Sequence, residues 1–108
     1  MSLELKTLLA GYFEATNAHH PDEVAALFSA NGLVHDQGQD YRGSDAIRNW
    51  AEDIHRKFAL RLSPADVLEE GEITMVRTQV AGAFLGSPIH QWYRFKTSEN
   101  AIEELVIG

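Results

Sequence analysis

Residues 12–36, YFEATNAHHPDEVAALFSANGLVHD, decide how this chain is read. Tyr12, Phe13 and Thr16 continue an apolar stripe at helical spacing, and Asn17-Ala18-His19-His20 breaks it. Pro21 suits the first turn of a new helix, where its missing N–H costs nothing, and Asp22 and Glu23 favour the same positive end. That second helix is expected to bury Val24, Ala25, Leu27 and Phe28 and to stop before Asn31-Gly32. Leu33-Val34-His35-Asp36 then reads as a short strand whose last residue is a carboxylate, followed by a turn at Gln37-Gly38-Gln39-Asp40. If both helices pack on one sheet, the Tyr12 phenol and the Asp36 carboxylate face one cavity. That pair would make a proton-transfer site.

Outward from this stretch, Leu5, Leu8 and Leu9 extend the first stripe backwards. The reading is an amphipathic helix over 3–17 with Ser2 as a candidate N-cap. Tyr41-Arg42 adds a few extended residues. Gly43-Ser44-Asp45 opens a third helix, with Ser44 as N-cap and Ile47, Trp50, Ile54 and Phe58 as its buried stripe. From Leu60 the apolar period changes to two, which predicts strands at 61–70, 72–84, 88–97 and 101–107. Their connections (Glu70-Gly71, Gly86-Ser87-Pro88 and Ser98-Glu99-Asn100) are too short for parallel crossovers, so the strands form an antiparallel meander. The expected class is α+β, with three N-terminal helices packed on a curved antiparallel sheet.

Composition narrows the function. At 108 residues the chain is one domain, 1–108, able to bury roughly two thirds of its unfolded surface. Nine Lys and Arg stand against 16 Asp and Glu, a net charge of −7, and the nearest approach to a basic cluster is Arg56-Lys57 with Arg61. A nucleic-acid surface needs more than that. There is no cysteine, so disulfides and thiolate metal sites are excluded. His19-His20 is no metal motif, since adjacent residues rarely point at one ion and no HxH or HExxH spacing occurs. The N-terminus carries Glu4 and Glu14 within its apolar pattern, and no run approaches the ~18 apolar residues of a membrane span. A cytoplasmic protein is expected, with no membrane or nucleic-acid partner.

Several side chains carry candidate chemistry, each beside a plainer reading. Asp36 is a candidate general base, or the acceptor of an Asx turn ahead of Gly38. Tyr12 is a candidate oxyanion donor, or a core phenol bonded to a nearby carbonyl. Gln91 shares a strand face with Ile89, Tyr93 and Phe95, so it lines a pocket or finds a neighbouring partner. His90, Trp92 and Arg94 take the other face, where Trp92 is a candidate dimer anchor. His55 follows Ile54 and borders the cavity, or lies on the surface. A water-activating dehydratase or hydrolase would require His55 or His90 beside Asp36.

Segments 26–47, ALFSANGLVHDQGQDYRGSDAI, and 80–95, VAGAFLGSPIHQWYRF, resemble the SnoaL-like branch of the superfamily that includes nuclear transport factor 2 and ketosteroid isomerase. The resemblance covers nearly the whole chain and implies one cone-shaped domain enclosing a deep apolar pocket. It also implies a homodimer through the sheet face. The family includes isomerases, polyketide cyclases, dehydratases, epoxide hydrolases and proteins without chemistry, so fold alone does not choose among them. Ketosteroid isomerase uses a helix Tyr and a protonated Asp to hold an enolate oxygen, while a second Asp moves the proton. By this resemblance Asp36 is the base, Tyr12 the first donor and Trp50 a pocket aromatic. Gln91 stands where the protonated Asp would be, and its amide can still donate. Phe58, Tyr93 and His55 complete the expected ligand-binding set. The implied activity is cofactor-independent proton transfer on a small apolar carbonyl compound, giving isomerisation or aldol-type cyclisation. The alternatives are a non-catalytic ligand-binding or dimerisation module, and the water-activating enzyme above.

Overall fold

The computed structural model describes residues 5–108. Helix α1 spans Thr7–Asn17, α2 Pro21–Ala26 and α3 Ser44–Phe58. Strands β1 (Phe28–Asp36) and β2 (Gln39–Arg42) precede α3, and β3 (Arg61–Glu70), β4 (Ile73–Ala81), β5 (Ile89–Thr97) and β6 (Ile102–Ile107) follow it. They form one open six-stranded sheet in the order β2-β1-β6-β5-β4-β3.

The four-strand meander is antiparallel as expected, but the sheet as a whole is mixed, because β1 runs parallel to β6. Pairing starts where α2 ends: the Ile102 N–H donates to the Leu27 carbonyl, and Phe28 lies opposite Ile102. This capture overrides the helical reading of Leu27 and Phe28; Phe28 is buried as the first residue of β1. Asn31-Gly32 does not stop a helix. It sits in a bulge of β1, where the β6 register shifts between Phe28 and Leu33. A Cβ on Gly32 would lie 2.9 Å from Phe28 Cβ and 3.1 Å from the Ser29 carbonyl oxygen, so the fold of this bulge requires a glycine.

The first helix starts later than expected, at Thr7 with Lys6 in an extended conformation; Ser2 lies outside the described residues. Ser44 is the first residue of α3 rather than its cap, a position taken by Gly43 at φ 90°. Helix α1 is tied to β3 by Asn17, whose amide donates to the Leu62 carbonyl (2.9 Å) and accepts from the Leu62 N–H (2.7 Å).

The core lies between the helices and the inner sheet face. Leu9, Tyr12 and Phe13 of α1, with Ile47 and Trp50 of α3, meet Val34, Val76, Phe95 and Leu105 from four strands. The period-two pattern is cleanest in β4, where Thr74, Val76, Thr78 and Val80 are buried and their neighbours half-buried. On the outer face lie Met75, Trp92 and Val106, half-buried, with ion pairs Arg77–Asp66 and Arg94–Glu104. No helix among the described residues is long and apolar enough to cross a membrane.

Candidate active site

The parallel β1–β6 pairing positions the site. His35 lies opposite Val106, and Ile107 lies opposite Tyr93 on β5. Continued by one residue, this register brings Asp36 level with Ile107 and Tyr93, across three adjacent strands. Ile89 and Gln91 precede Tyr93 on the inner face of β5. Together with Asp36, Phe58, Val80 and Phe84, these residues line a cavity of about 200 Å³.

Asp36 ends β1, and the chain turns immediately through Gln37 (φ 52°) and Gly38 (φ 75°). The Trp50 indole N–H donates to Asp36 Oδ2 at 3.1 Å, so α3 fixes the carboxylate from above while β1 holds its backbone. Burial pushes the Asp36 carboxyl above its ordinary value. The Trp50 hydrogen bond, the Gln37 backbone N–H and His35 pull the other way without cancelling that effect. Asp36 borders a turn and lines the cavity, and its carboxylate accepts from the Trp50 indole and the Gln37 N–H.

The Tyr93 phenol is pushed up by burial first and by the Asp36 charge second, so it stays a neutral donor at physiological pH. Gln91 is half-buried on the same strand face. Tyr12 is not among the residues lining this cavity. The apolar stripe of α1 turns it into an aromatic cluster, with its ring 6.3 Å from that of Tyr93 and 5.3 Å from that of Phe95. Its phenol lies well above the ordinary value, raised by burial, by Tyr93 and by Asp36, against a hydrogen bond with Thr16. Tyr12 therefore stands behind Tyr93.

His55 and Trp50 are also placed differently from expectation. Both line a separate crevice of about 20 Å³, room for one water molecule, beside His19. The His19 and His55 rings stack with centroids 3.7 Å apart. His55 Nδ1 is buried without a partner. The stack arises because His19 adopts a left-handed conformation (φ 62°) in the α1–α2 connection, which sequence periodicity does not reveal. Ile54 and Leu60 form the wall shared by the two spaces. His35 bonds to Asp40, and His90 is exposed. Among the described residues no histidine lines the Asp36 cavity, so the geometry gives no support to a His–Asp water-activating pair. Among the described residues no group of three or more His, Asp or Glu side chains is arranged to hold a metal ion.

Sequence reading missed two features here. The Trp50–Asp36 bond joins residues read separately as a pocket aromatic and a base. The 82–88 loop supplies Phe84 to the cavity, and its signal was an aromatic residue between two glycines, GAFLG.

A family model described as "SnoaL-like domain" matches residues 9–100. A solved structure of a proposed polyketide cyclase from Sinorhizobium meliloti is 27% identical, with a TM-score of 0.93 over 96% of this chain and 95% of that one. A protein from Catenulispora acidiphila with a ketosteroid isomerase-like fold, solved with trimethylamine, is 15% identical with a TM-score of 0.87, covering 97% and 86%. The epoxide hydrolase/cyclase-like enzyme SalBIII of salinomycin pyran-ring formation is 16% identical with a TM-score of 0.81, covering 93% and 85%. No curated protein sequence matches the chain significantly.

Proposed function

The chain belongs to the SnoaL-like domain family, and on that premise we propose that its cavity binds a small apolar carbonyl compound and moves a proton on it. The observation that carries this reading is Asp36: a carboxylate at the wall of a largely apolar cavity, held by Trp50 and raised by burial. A base poised in this way is suited to take a proton from carbon next to a carbonyl. The C–H electrons become the enolate, and the Gln91 amide and the Tyr93 phenol supply hydrogen bonds to its oxygen. The donor role expected of Tyr12 passes to Tyr93, with Tyr12 packed behind it. Asp36, now protonated, returns the proton to a different carbon, which is isomerisation; alternatively the enolate carbon bonds to a second carbonyl carbon, whose C=O π electrons become an alkoxide that takes the proton back from Asp36, which is aldol-type cyclisation. These side chains carry the proton transfer themselves.

The direct test is exchange of α-protons. Cyclohexenone incubated with the protein in heavy water is expected to lose its α-proton NMR signals faster than in buffer. Asp36→Asn should cut that enhancement by about 10²–10⁴-fold, the usual contribution of a positioned base. Equal exchange by the wild type and the Asn variant would leave a ligand-binding module as the better reading.

Two copies of the chain are proposed to pair through the outer sheet face. Met75, Trp92 and Val106 supply half-buried apolar surface there, beside Leu68, which is 60% exposed. Arg77 and Arg94 alternate with Asp66 and Glu104 on the same face, a pattern that a two-fold interface can match against itself. Sedimentation equilibrium should give twice the chain mass, and Trp92→Glu should give the monomer.

A further inference from the structure

The cavity that holds Asp36 has a built wall, and its position sets a size. Val80, Tyr93 and Ile107 are buried at its floor, while Phe58 and Phe84 are half-buried, Ile89 is 39% exposed and Gln37 is exposed at its rim. Phe84 belongs to the 82–88 loop, which hydrogen bonds hold in place. The Ala83 N–H donates to the Phe58 carbonyl at the end of α3 (2.7 Å), the Gly82 N–H donates to Ser87 Oγ (3.0 Å), and the Ser87 N–H donates to the Phe84 carbonyl (3.3 Å). The loop meets α3 so closely that a Cβ on Gly82 would lie 2.6 Å from the Phe58 carbonyl oxygen and 3.0 Å from Leu60 Cδ2. This clamp presses Phe84 edge-on against Phe58, with rings 6.2 Å apart at 90°.

We propose that Phe84, held in place by the Gly82–Phe58 clamp, is the specificity-determining residue of this cavity and limits its ligand to a neutral compound of about one six-membered ring. About 200 Å³ is little more than the ~150 Å³ at which an apolar protein cavity takes up benzene. A four-ring skeleton needs far more, and the clamped loop stands where it would extend. Charge narrows the choice further. Among the described residues Asp36 is the one carboxylate on the wall and no Lys, Arg or His lines it, so an anion would meet repulsion without a counter-charge. A cation would pair with Asp36 and occupy the base, so neutrality rests on the proton-transfer reading, whereas the size limit does not.

The test is a size series read from the Trp50 indole N–H resonance, which reports on the Asp36 contact. Cyclohexenone, the bicyclic octalone and testosterone are titrated in parallel with the alcohols cyclohexanol and decalol. Wild-type protein should bind the one-ring member of each series at least about tenfold more tightly than the two-ring member, the scale on which a tight apolar pocket rejects extra methylenes. Phe84→Ala should erase or reverse that ranking. Gly82→Ala, whose Cβ would crowd the Phe58 carbonyl oxygen at 2.6 Å and lie 3.3 Å from Phe84 Cε1, disturbs the clamp while keeping the ring and should shift the ranking in the same direction. Equal wild-type affinity for all ring sizes, a ranking unmoved in both variants, or no binding by any compound would overturn the proposal. If alcohols and ketones show the same size ranking with no advantage for the carbonyl, the size limit stands and the carbonyl chemistry falls.

Discussion

Two spaces lie on either side of Ile54 and Leu60, and each contains a titratable group. One holds Asp36 in about 200 Å³ with Gln91 and Tyr93. The other holds His19 and His55 stacked in about 20 Å³. The histidine crevice has the more reactive-looking inventory, yet it has room for one water molecule and none for a substrate. The Asp36 side has one carboxylate among the described residues, but also space, donors and an apolar wall. A perturbed group becomes a candidate catalyst only where a reacting molecule can reach it.

The largest effect should separate the two spaces outright. Asp36→Asn should remove α-proton exchange by the factor given above, while His55→Ala should leave it essentially unchanged. A loss of exchange in the His55 variant would break the comparison, because the crevice would then belong to the active site.

A smaller effect concerns stability. The folded-state pKa of Asp36 is raised, so the native protein holds this proton more tightly than the unfolded chain does. Its contribution favours folding at acid pH and is lost as pH rises from the ordinary aspartate range through the raised value. Asp36→Asn, which can still accept from Trp50, should therefore raise the melting temperature relative to wild type at neutral pH. The gain should shrink as the buffer is made more acid. A variant less stable at neutral pH would mean that the carboxylate is favourably bonded rather than held out of water. Trp50→Phe sharpens the same point: without the indole donor, the Asp36 carboxyl should titrate higher still.

The smallest effect lies in the crevice. The His19 imidazole is held below its ordinary value, mainly by burial and then by the neighbouring His55, with Arg61 and His20 adding to it. His55→Ala should move the His19 titration part of the way back up, as seen in its ring-proton shifts, with little change in exchange rate.

Much of this was legible in the residues, and what was not has identifiable causes. The period-two runs predicted β3, β4, β5 and β6 within a few residues, and Pro21 marked the start of α2. The parallel pairing of β1 with β6 was not legible, because no local signal records a contact between segments some seventy residues apart in sequence. That pairing made Phe28 a strand residue and turned Gly32 from a helix stop into a bulge. At the site, Asp36, Gln91, Phe58 and Tyr93 meet at one cavity as the sequence suggested. Tyr12, Trp50 and His55 do not, for a rotational reason: one helical position decides between the cavity wall and the layer behind it. Helix periodicity identifies a buried face; it does not say which part of that face is hollow. Phe84 was not legible in the sequence because loop residues carry no period at all.

The measurement closest to the central claim is the titration of the Asp36 carboxyl by carboxyl-carbon NMR, repeated with cyclohexenone present. A base held out of water should titrate above the ordinary aspartate range, with a further change when the ligand covers the carboxylate. A value at or below that range, unmoved by ligand, would contradict it and leave Asp36 a solvated turn residue at the edge of an unused cavity.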